Sequence, residues 1–482
     1  MNRTIIFFLF STLLYVQAIG QVETNYSPGL QEKERIQYFT PYEEGWESGD
    51  PILFYHDGTF HVFYLLFSQE NSHLTGRKNQ WSHCSSKDLV HWQHHPIALP
   101  ITRDWENAMA TGSIIFERDT FFVFYTTFRE DENGRNIQYI SRSISTDGIT
   151  FKKVEPNAFI TPPGNYSVNN FRDPHVFFDS ITRLYYMVIT TEKTNEYLDH
   201  LKPSLAYFTS EDLLTWDFKG DMYLPGNADG FYYPECPTLF KWNDWYYLMY
   251  KQNGGTYYRI SRSVTGPWMA PLEDNIGNDY ALVHKVAEFD RNRRIAVGMV
   301  PSKKGNSDTG EWQWGGNMVF RELFQNEDGS LRSDVVKEMR SRYNETLSIA
   351  HIQIENNSGF SYKAYENIPT DGHISFDVIP GGVYEQIGVL LRYSEKGYYE
   401  VKFNKRKRQV TVGDQTITGV FGLDNRFSVD IYMDEDIIDL CIGGKRCILN
   451  RAYEQSGEGL ILYVRNGTVD FENLSISEVS SE

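Results

Sequence analysis

A short segment recurs along the first two thirds of the chain, and it narrows the possible folds more than any other feature. Ser86-Lys87-Asp88-Leu89-Val90-His91-Trp92 returns as Ser210-Glu211-Asp212-Leu213-Leu214-Thr215-Trp216. A looser copy runs from Ser145 to Phe151, and a fourth from Ser261 to Trp268. The copies lie about 50 to 65 residues apart, the length of a propeller blade. Ahead of each copy stands a short strand, a turn and an aromatic-rich strand. Ile52–Tyr55 leads through His56-Asp57-Gly58 into Phe60–Phe67, and Ile114–Phe116 through Glu117-Arg118-Asp119 into Phe121–Thr127. His175–Phe178 and Thr238–Phe240 open two more hairpins, and a fifth spans Ala281 to Val300 with its turn at Asp290-Arg291-Asn292. Five hairpin units in about 300 residues predict an all-β, five-bladed β-propeller, here placed at residues 36–339.

The remainder, residues 341–482, has a different texture. Alternating segments such as Ile374–Val378, Gly388–Arg392, Tyr398–Phe403, Phe427–Tyr432 and Gly459–Val464 are separated by turns, with no helical run. That pattern predicts a C-terminal β-sandwich. At the other end, Arg3 precedes an apolar run from Ile5 to Val16, and Ala18-Ile19-Gly20 offers small residues for cleavage. Residues 1–20 therefore read as a signal peptide, which predicts a secreted or periplasmic protein with no integral membrane segment. Four cysteines do not make a disulfide scaffold; Cys441 and Cys447 flank a hairpin-like turn and can bridge, whereas Cys84 and Cys236 read as buried thiols.

The net charge of −18 excludes the basic footprint of a nucleic-acid partner. The 15% aromatic content fits many short strands, and it also fits a carbohydrate partner. His83, Cys84, His91, His94 and His95 are close in sequence, but their spacing matches no zinc pattern, so no metal and no cofactor is expected.

Three acids stand at the blade starts. Asp50 precedes the first strand of unit one, Asp173 that of unit three, and Glu235 that of unit four. Their distances to the hairpin turns predict equivalent positions in the repeat. First strands line the central channel of a propeller, so the three carboxylates should meet at one end of it. Each is followed by proline, in Asp50-Pro51, Asp173-Pro174 and Glu235-Cys236-Pro237, which holds the acid's backbone extended. Crowded carboxylates raise at least one pKa, and glycoside hydrolysis needs that pairing: one acid protonated to donate, one ionised to attack or to activate water.

The motifs around these acids resemble glycoside hydrolase family 32, the invertase, levanase and inulinase family. Phe171-Arg172-Asp173-Pro174 is similar to its Arg-Asp-Pro motif and Tyr233-Pro234-Glu235-Cys236-Pro237 to its Glu-Cys motif. Trp81-Ser82-His83 with the following repeat, Gly112-Ser113, and Arg321-Glu322-Leu323 with Asp328-Gly329 resemble further family segments in the right order. The first motif departs: where the family has Asn-Asp-Pro-Asn-Gly, this chain has Gly49-Asp50-Pro51-Ile52-Leu53, and a glutamine usual after the first hairpin is replaced near Leu65.

The resemblance implies a retaining hydrolase of a fructan, fructoside or related furanoside. Asp50 would be the nucleophile, Glu235 the acid/base and Asp173 the transition-state stabiliser. Arg172 would pair with a carboxylate or bind substrate. Ser113, Trp46, Trp81 and Trp314 are further candidates for contact with an oligo- or polysaccharide; the rival reading of each Trp, including Trp105 and Trp312, is core packing. Two other readings stay open: an inverting furanosidase of the arabinanase type, and a non-catalytic glycan-binding propeller.

Overall fold

Every blade begins with a hairpin whose turn carries residues that tolerate a left-handed backbone. Asp57 and Gly58 make the first, Arg118 and Asp119 the second, Arg183 the third, Asn243 the fourth, and Asp290, Arg291 and Asn292 the fifth, all at positive φ. The computed structural model describes residues 38–39, 46–67, 79–194, 201–225, 233–252, 254–278, 282–340 and 342–479, within one compact unit, Lys33–Glu482. The expected signal peptide, residues 1–20, lies outside the described residues.

The architecture is the expected all-β one, a five-bladed propeller followed by a β-sandwich. Blade 1 holds Glu47–His56, Thr59–Phe67, Gln80–Ser86 and Trp92–Leu99. Blade 2 holds Ala108–Glu117, Thr120–Glu130, Asn136–Ser145 and Lys152–Ile160, and blade 3 holds Tyr166–Asp179, Leu184–Thr194, Leu201–Ser210 and Asp217–Tyr223. Blade 4 is three-stranded, from Glu235–Trp242 through Trp245–Gln252 to Gly255–Ser261. Blade 5 holds Leu282–Phe289, Arg293–Lys303 and Trp312–Gln325. Its outer edge is assembled from both ends of the propeller sequence: Tyr38–Phe39 and Leu331–Asp334 each pair with Trp312–Gln325. That pairing closes the ring.

The recurring Ser-x-Asp segment is the turn between the third and fourth strands. The Ser86 hydroxyl accepts bonds from the amides of Asp88 and Leu89, and Asp88 Oδ1 accepts those of Val90 and His91. Ser145 with Asp147, and Ser210 with Asp212, repeat the arrangement. These side chains satisfy backbone donors that no strand supplies. The neighbouring histidines pack within blade 1: the His83 ring stacks on Phe63 at 3.9 Å and on His95 at 4.3 Å.

In the sandwich the long strand Gly459–Val479 organises the sheets. It pairs along its length with Tyr343–Tyr365, and on its other side with Gly372–Pro380 and Gln386–Ser394. Inward residues such as Ile374, Phe376, Val389, Val401, Val429 and Leu462 form its core. Cys441 and Cys447 face each other on adjacent strands and are joined in a disulfide, while Cys84 and Cys236 are buried free thiols. A second core runs from blades 1 and 5 into the sandwich, through Tyr38, Val319, Val335, Tyr432 and Leu449. Within it Arg321 grips Asp439 through two bonds of 2.7 Å, and the Tyr38 hydroxyl donates to the same carboxylate at 2.9 Å. No helix among the described residues is long and apolar enough to cross a membrane.

One irregularity recurs in all five blades. The first strand slips by one residue against its partner between Ser48 and Pro51, Met109 and Gly112, Arg172 and His175, Glu235 and Thr238, and Leu282 and Lys285. Each is a β-bulge, two residues opposed to one, at the same end of the channel. A bulge leaves backbone groups without ladder partners, and here the neighbouring blades supply them. Trp81 donates to the Ala110 carbonyl, the Asp173 amide to Thr126 Oγ1, the Cys236 amide to Asp173 Oδ2, and the His284 amide to Thr256 Oγ1. Lys285 donates to the Pro237 carbonyl.

Candidate active site

The bulges explain why three acids from distant sequence converge, and they correct the expected register. Asp50 is the second residue of its bulge, Asp173 the first of its own, and Glu235 the residue just before its bulge. Arg172 and Ser48, not Asp173 and Asp50, hold the positions equivalent to Glu235. The acids therefore form a stagger, one residue apart in the repeat. Asp173 and Cys236, at equivalent bulge positions, both adopt positive φ, 58° and 53°, in place of the extended backbone expected beside proline. Such backbone is unfavourable for a side-chain-bearing residue and persists where surrounding contacts impose it.

The thiol of Cys236 lies between the two aspartates, 3.7 Å from Asp50 Oδ2 and 3.5 Å from Asp173 Oδ2. Asp50 is 9% exposed. Its Oδ2 accepts the Thr111 hydroxyl at 2.6 Å and its Oδ1 the Trp314 indole N–H at 3.3 Å. Burial pushes its carboxyl above the usual range; the Thr111 bond pulls the other way, and Glu235 adds to the rise. Asp173, 3% exposed, is pushed up to about 6, chiefly by burial and against the pull of Arg172, whose Nε is 3.5 Å away.

Glu235 differs. Burial pushes its pKa up, but Lys251 and Arg172 together outweigh that and hold it below the usual range. Lys251 Nζ is 2.5 Å from Oε2, and Arg172 Nη2 is 2.7 Å from Oε1. Arg172 is fixed in turn by Asn170, and Asn170 by Glu192, which also accepts the Tyr233 hydroxyl. The crowding thus separates the acids electrostatically: two carboxyls titrate high and one low. The aspartates therefore hold a proton in preference to Glu235.

The other candidates are placed as follows. Arg172 belongs to the cluster, as the ion-pair partner of two of its acids. Trp314 belongs too, 36% exposed and hydrogen-bonded to Asp50. Trp81 does not: at 0% exposure it packs against Phe63 and Tyr125, and its N–H is spent on Ala110. Its core environment offers no face to a sugar. Ser113 is also a structural link, buried, with its hydroxyl accepting the Val176 amide at 2.8 Å. Trp46 stands partly exposed just before the first strand of blade 1.

Three members were not anticipated: Thr111, Lys251 and Lys285. Thr111 occupies in blade 2 the bulge position of Asp50 in blade 1, a match visible only once the bulges are known. Gly49 also acquires a reason. A Cβ there would lie 2.3 Å from Cη2 of Trp314, so the missing side chain is what lets the indole descend onto Asp50.

A five-bladed propeller with staggered, cation-balanced carboxylates at one end of its channel defines a class of carbohydrate-active architecture. The match to known sequences makes this specific: residues 39–333 fit the glycosyl hydrolases family 32 N-terminal domain, and the chain belongs to that family. It is 31% identical to the sucrose-6-phosphate hydrolase of Bacillus subtilis (strain 168), over 44% of this chain and 44% of that protein. It thus spans less than half of that relative's length. It is 24% identical to the levanase of the same organism, over 98% of this chain and 74% of that protein. Among solved structures it is similar in fold to exo-inulinase from Aspergillus awamori, with a TM-score of 0.70, 18% identity, and 92% and 98% of the two chains covered.

Proposed function

We propose that this protein is a secreted, retaining glycoside hydrolase acting on fructosides, with Asp50 as nucleophile and Glu235 as acid/base. The observation that carries the reading is that the residue after Glu235 reaches Asp50: the Cys236 thiol lies 3.7 Å from Asp50 Oδ2. The retaining course is the one the family resemblance implies, and it calls for direct attack by a carboxylate rather than by a water held between the two acids.

In the first step Asp50 attacks the anomeric carbon while protonated Glu235 gives its proton to the departing glycosidic oxygen. The bond to the leaving sugar breaks and a glycosyl ester forms on Asp50. In the second step Glu235, now ionised, takes a proton from water, and that water displaces the ester. Asp173 and Arg172, beside these acids, would hold sugar hydroxyls as positive charge develops on the ring. Glu235 is drawn toward its ionised form by Lys251 and Arg172, so the protonated fraction falls as pH rises and the optimum should be acidic. The family membership and the levanase and sucrose-6-phosphate hydrolase relatives favour a fructosyl unit.

The test is hydrolysis of sucrose, inulin, levan and arabinofuranosides by wild type and by Glu235→Gln, with NMR of the first-formed anomer. Fructose released with retained configuration, and a loss of about 10²- to 10⁴-fold in the variant, is expected. Inverted product would replace the retaining reading. No turnover by folded protein on the whole panel would leave a glycan-binding role. For secretion, the mature N-terminus should begin near Gln21.

A further inference from the structure

The reaction just described does not use Lys285, yet this side chain is the most deeply buried cation beside the acids. It is 3% exposed, on the first strand of blade 5. Its register position, directly after the bulge, is held in the other blades by Pro51, Gly112, His175 and Thr238. A lysine among such residues breaks the repeat. A buried ammonium persists only with compensation, and its hydrogen bond runs 2.6 Å to the Pro237 carbonyl, across the boundary into blade 4.

That carbonyl belongs to the bulge which follows Glu235. Pro237 is the second bulge residue and has no N–H, so the carbonyl is the polar group left for a neighbour to satisfy. Burial lowers the proton affinity of Lys285, and Cys236, Asp173 and Asp50, from blades 4, 3 and 1, pull it back up; His175 of blade 3 is near enough to act on it, with its own proton affinity lowered by burial and by Lys285. Arg172 pairs with Glu235 and with Asp173, and Lys251 pairs with Glu235. Three carboxylates are thus matched by three cations, and Lys285 acts on both aspartates.

We propose that Lys285 is a positioning residue of the acid cluster: its buried ammonium pins the Glu235–Cys236–Pro237 bulge through the Pro237 carbonyl and supplies the positive charge against which Asp50 and Asp173 stand together as carboxylates. This rests on the catalytic reading of those acids. A fixed cation acting on two buried aspartates lowers the free energy of their ionised forms, and Asp50 must be ionised to attack.

The test uses the full-length protein with Lys285→Met, Lys285→Gln and Lys285→Arg. Glutamine retains a donor for the Pro237 carbonyl without the charge, so it separates pinning from electrostatics. The expected result is a ratio of variant to wild-type kcat/KM that falls as pH is lowered from 8 to 5, by about tenfold where the Asp50 carboxyl comes to titrate one pH unit higher. Both neutral variants should show it, the methionine variant with an additional pH-independent loss, and arginine should restore the wild-type profile. A ratio that is constant with pH, or no rescue by arginine, overturns the proposal. A second readout needs no substrate. The midpoint of thermal unfolding should drop more between pH 5 and pH 8 in the glutamine variant than in wild type, because its aspartates are costlier to ionise. Equal drops overturn the proposal. Absence of fructoside hydrolysis by wild type would count against the enzymatic reading, and the unfolding comparison would then decide the role of Lys285 alone.

Discussion

Lys251 Nζ stands 2.5 Å from Oε2 of Glu235, on the strand that pairs with the one Glu235 begins. This contact, with Arg172 on the other oxygen, sets the charge state of the proposed acid/base. Replacing Lys251 by Met removes one of the two forces that hold Glu235 ionised. The proton affinity of Glu235 then rises, and more of the enzyme carries the proton it must donate. The ratio of Lys251→Met to wild-type kcat/KM should therefore increase with pH. It should level off at neutral pH and above, at about ten where Glu235 comes to titrate one pH unit higher. A pH–rate profile of the two proteins on one fructoside measures it.

Gly49 and Trp314 act as one unit. Adding a methyl group at position 49 places it 2.3 Å from the indole and drives the ring off Asp50. Gly49→Ala should lower kcat/KM by about 10- to 100-fold, the range expected for losing a hydrogen bond to a buried charged group. Trp314→Phe loses the same N–H donor together with part of the indole, and should cost about as much. Steady-state kinetics of the two variants, with indole fluorescence to follow the ring, checks the coupling.

Asp173 carries a stability penalty for its position. Its carboxyl, ordinarily near 4, is pushed up to about 6 by burial. The folded state thus holds the proton more tightly than the unfolded chain. Its contribution is fully present below pH 4 and is lost as pH rises through 6. Asp173→Asn removes the penalty, so it should stabilise the fold at pH 8 by up to about 3 kcal/mol and give no advantage at pH 4, while abolishing turnover. Urea unfolding at the two pH values reports it.

The bidentate pair between Arg321 and Asp439 lies in the core shared by blade 5 and the sandwich, with both side chains almost fully buried. Arg321→Met leaves a buried carboxylate with only the Tyr38 hydroxyl, and should destabilise by about 3–5 kcal/mol. The double variant Arg321→Met with Asp439→Leu should recover part of that loss. A double-mutant cycle in urea gives the coupling directly.

Much of the fold is legible in the sequence because blade elements are local. A Ser-x-Asp turn is made by atoms a few residues apart, and a hairpin such as Phe54-Tyr55-His56-Asp57-Gly58 needs only its own turn residues and the alternation beside it. The same locality makes Asp50, Asp173 and Glu235 visible: each acid stands beside a proline just ahead of an apolar run. Trp81 shows the limit. Its motif marks it as a contact candidate, but whether an indole meets ligand or core depends on Phe63, Tyr125 and the carbonyl of Ala110, none of them adjacent in sequence.

The sequence by itself determined the repeat, the number of blades, the change to a sandwich and the three acids. The tertiary structure decided how those acids differ. Each bulge shifts the register by one residue, and its stray backbone groups are met by side chains from the adjacent blade. Glu235 thereby comes opposite Lys251, Thr111 reaches Asp50, and Lys285 reaches the Pro237 carbonyl. Proton affinity depends on burial and on charges arriving from other strands, so burial raised two carboxyls while Lys251, 16 residues away, and Arg172, 63 residues away, lowered the third. No local pattern encodes that sum.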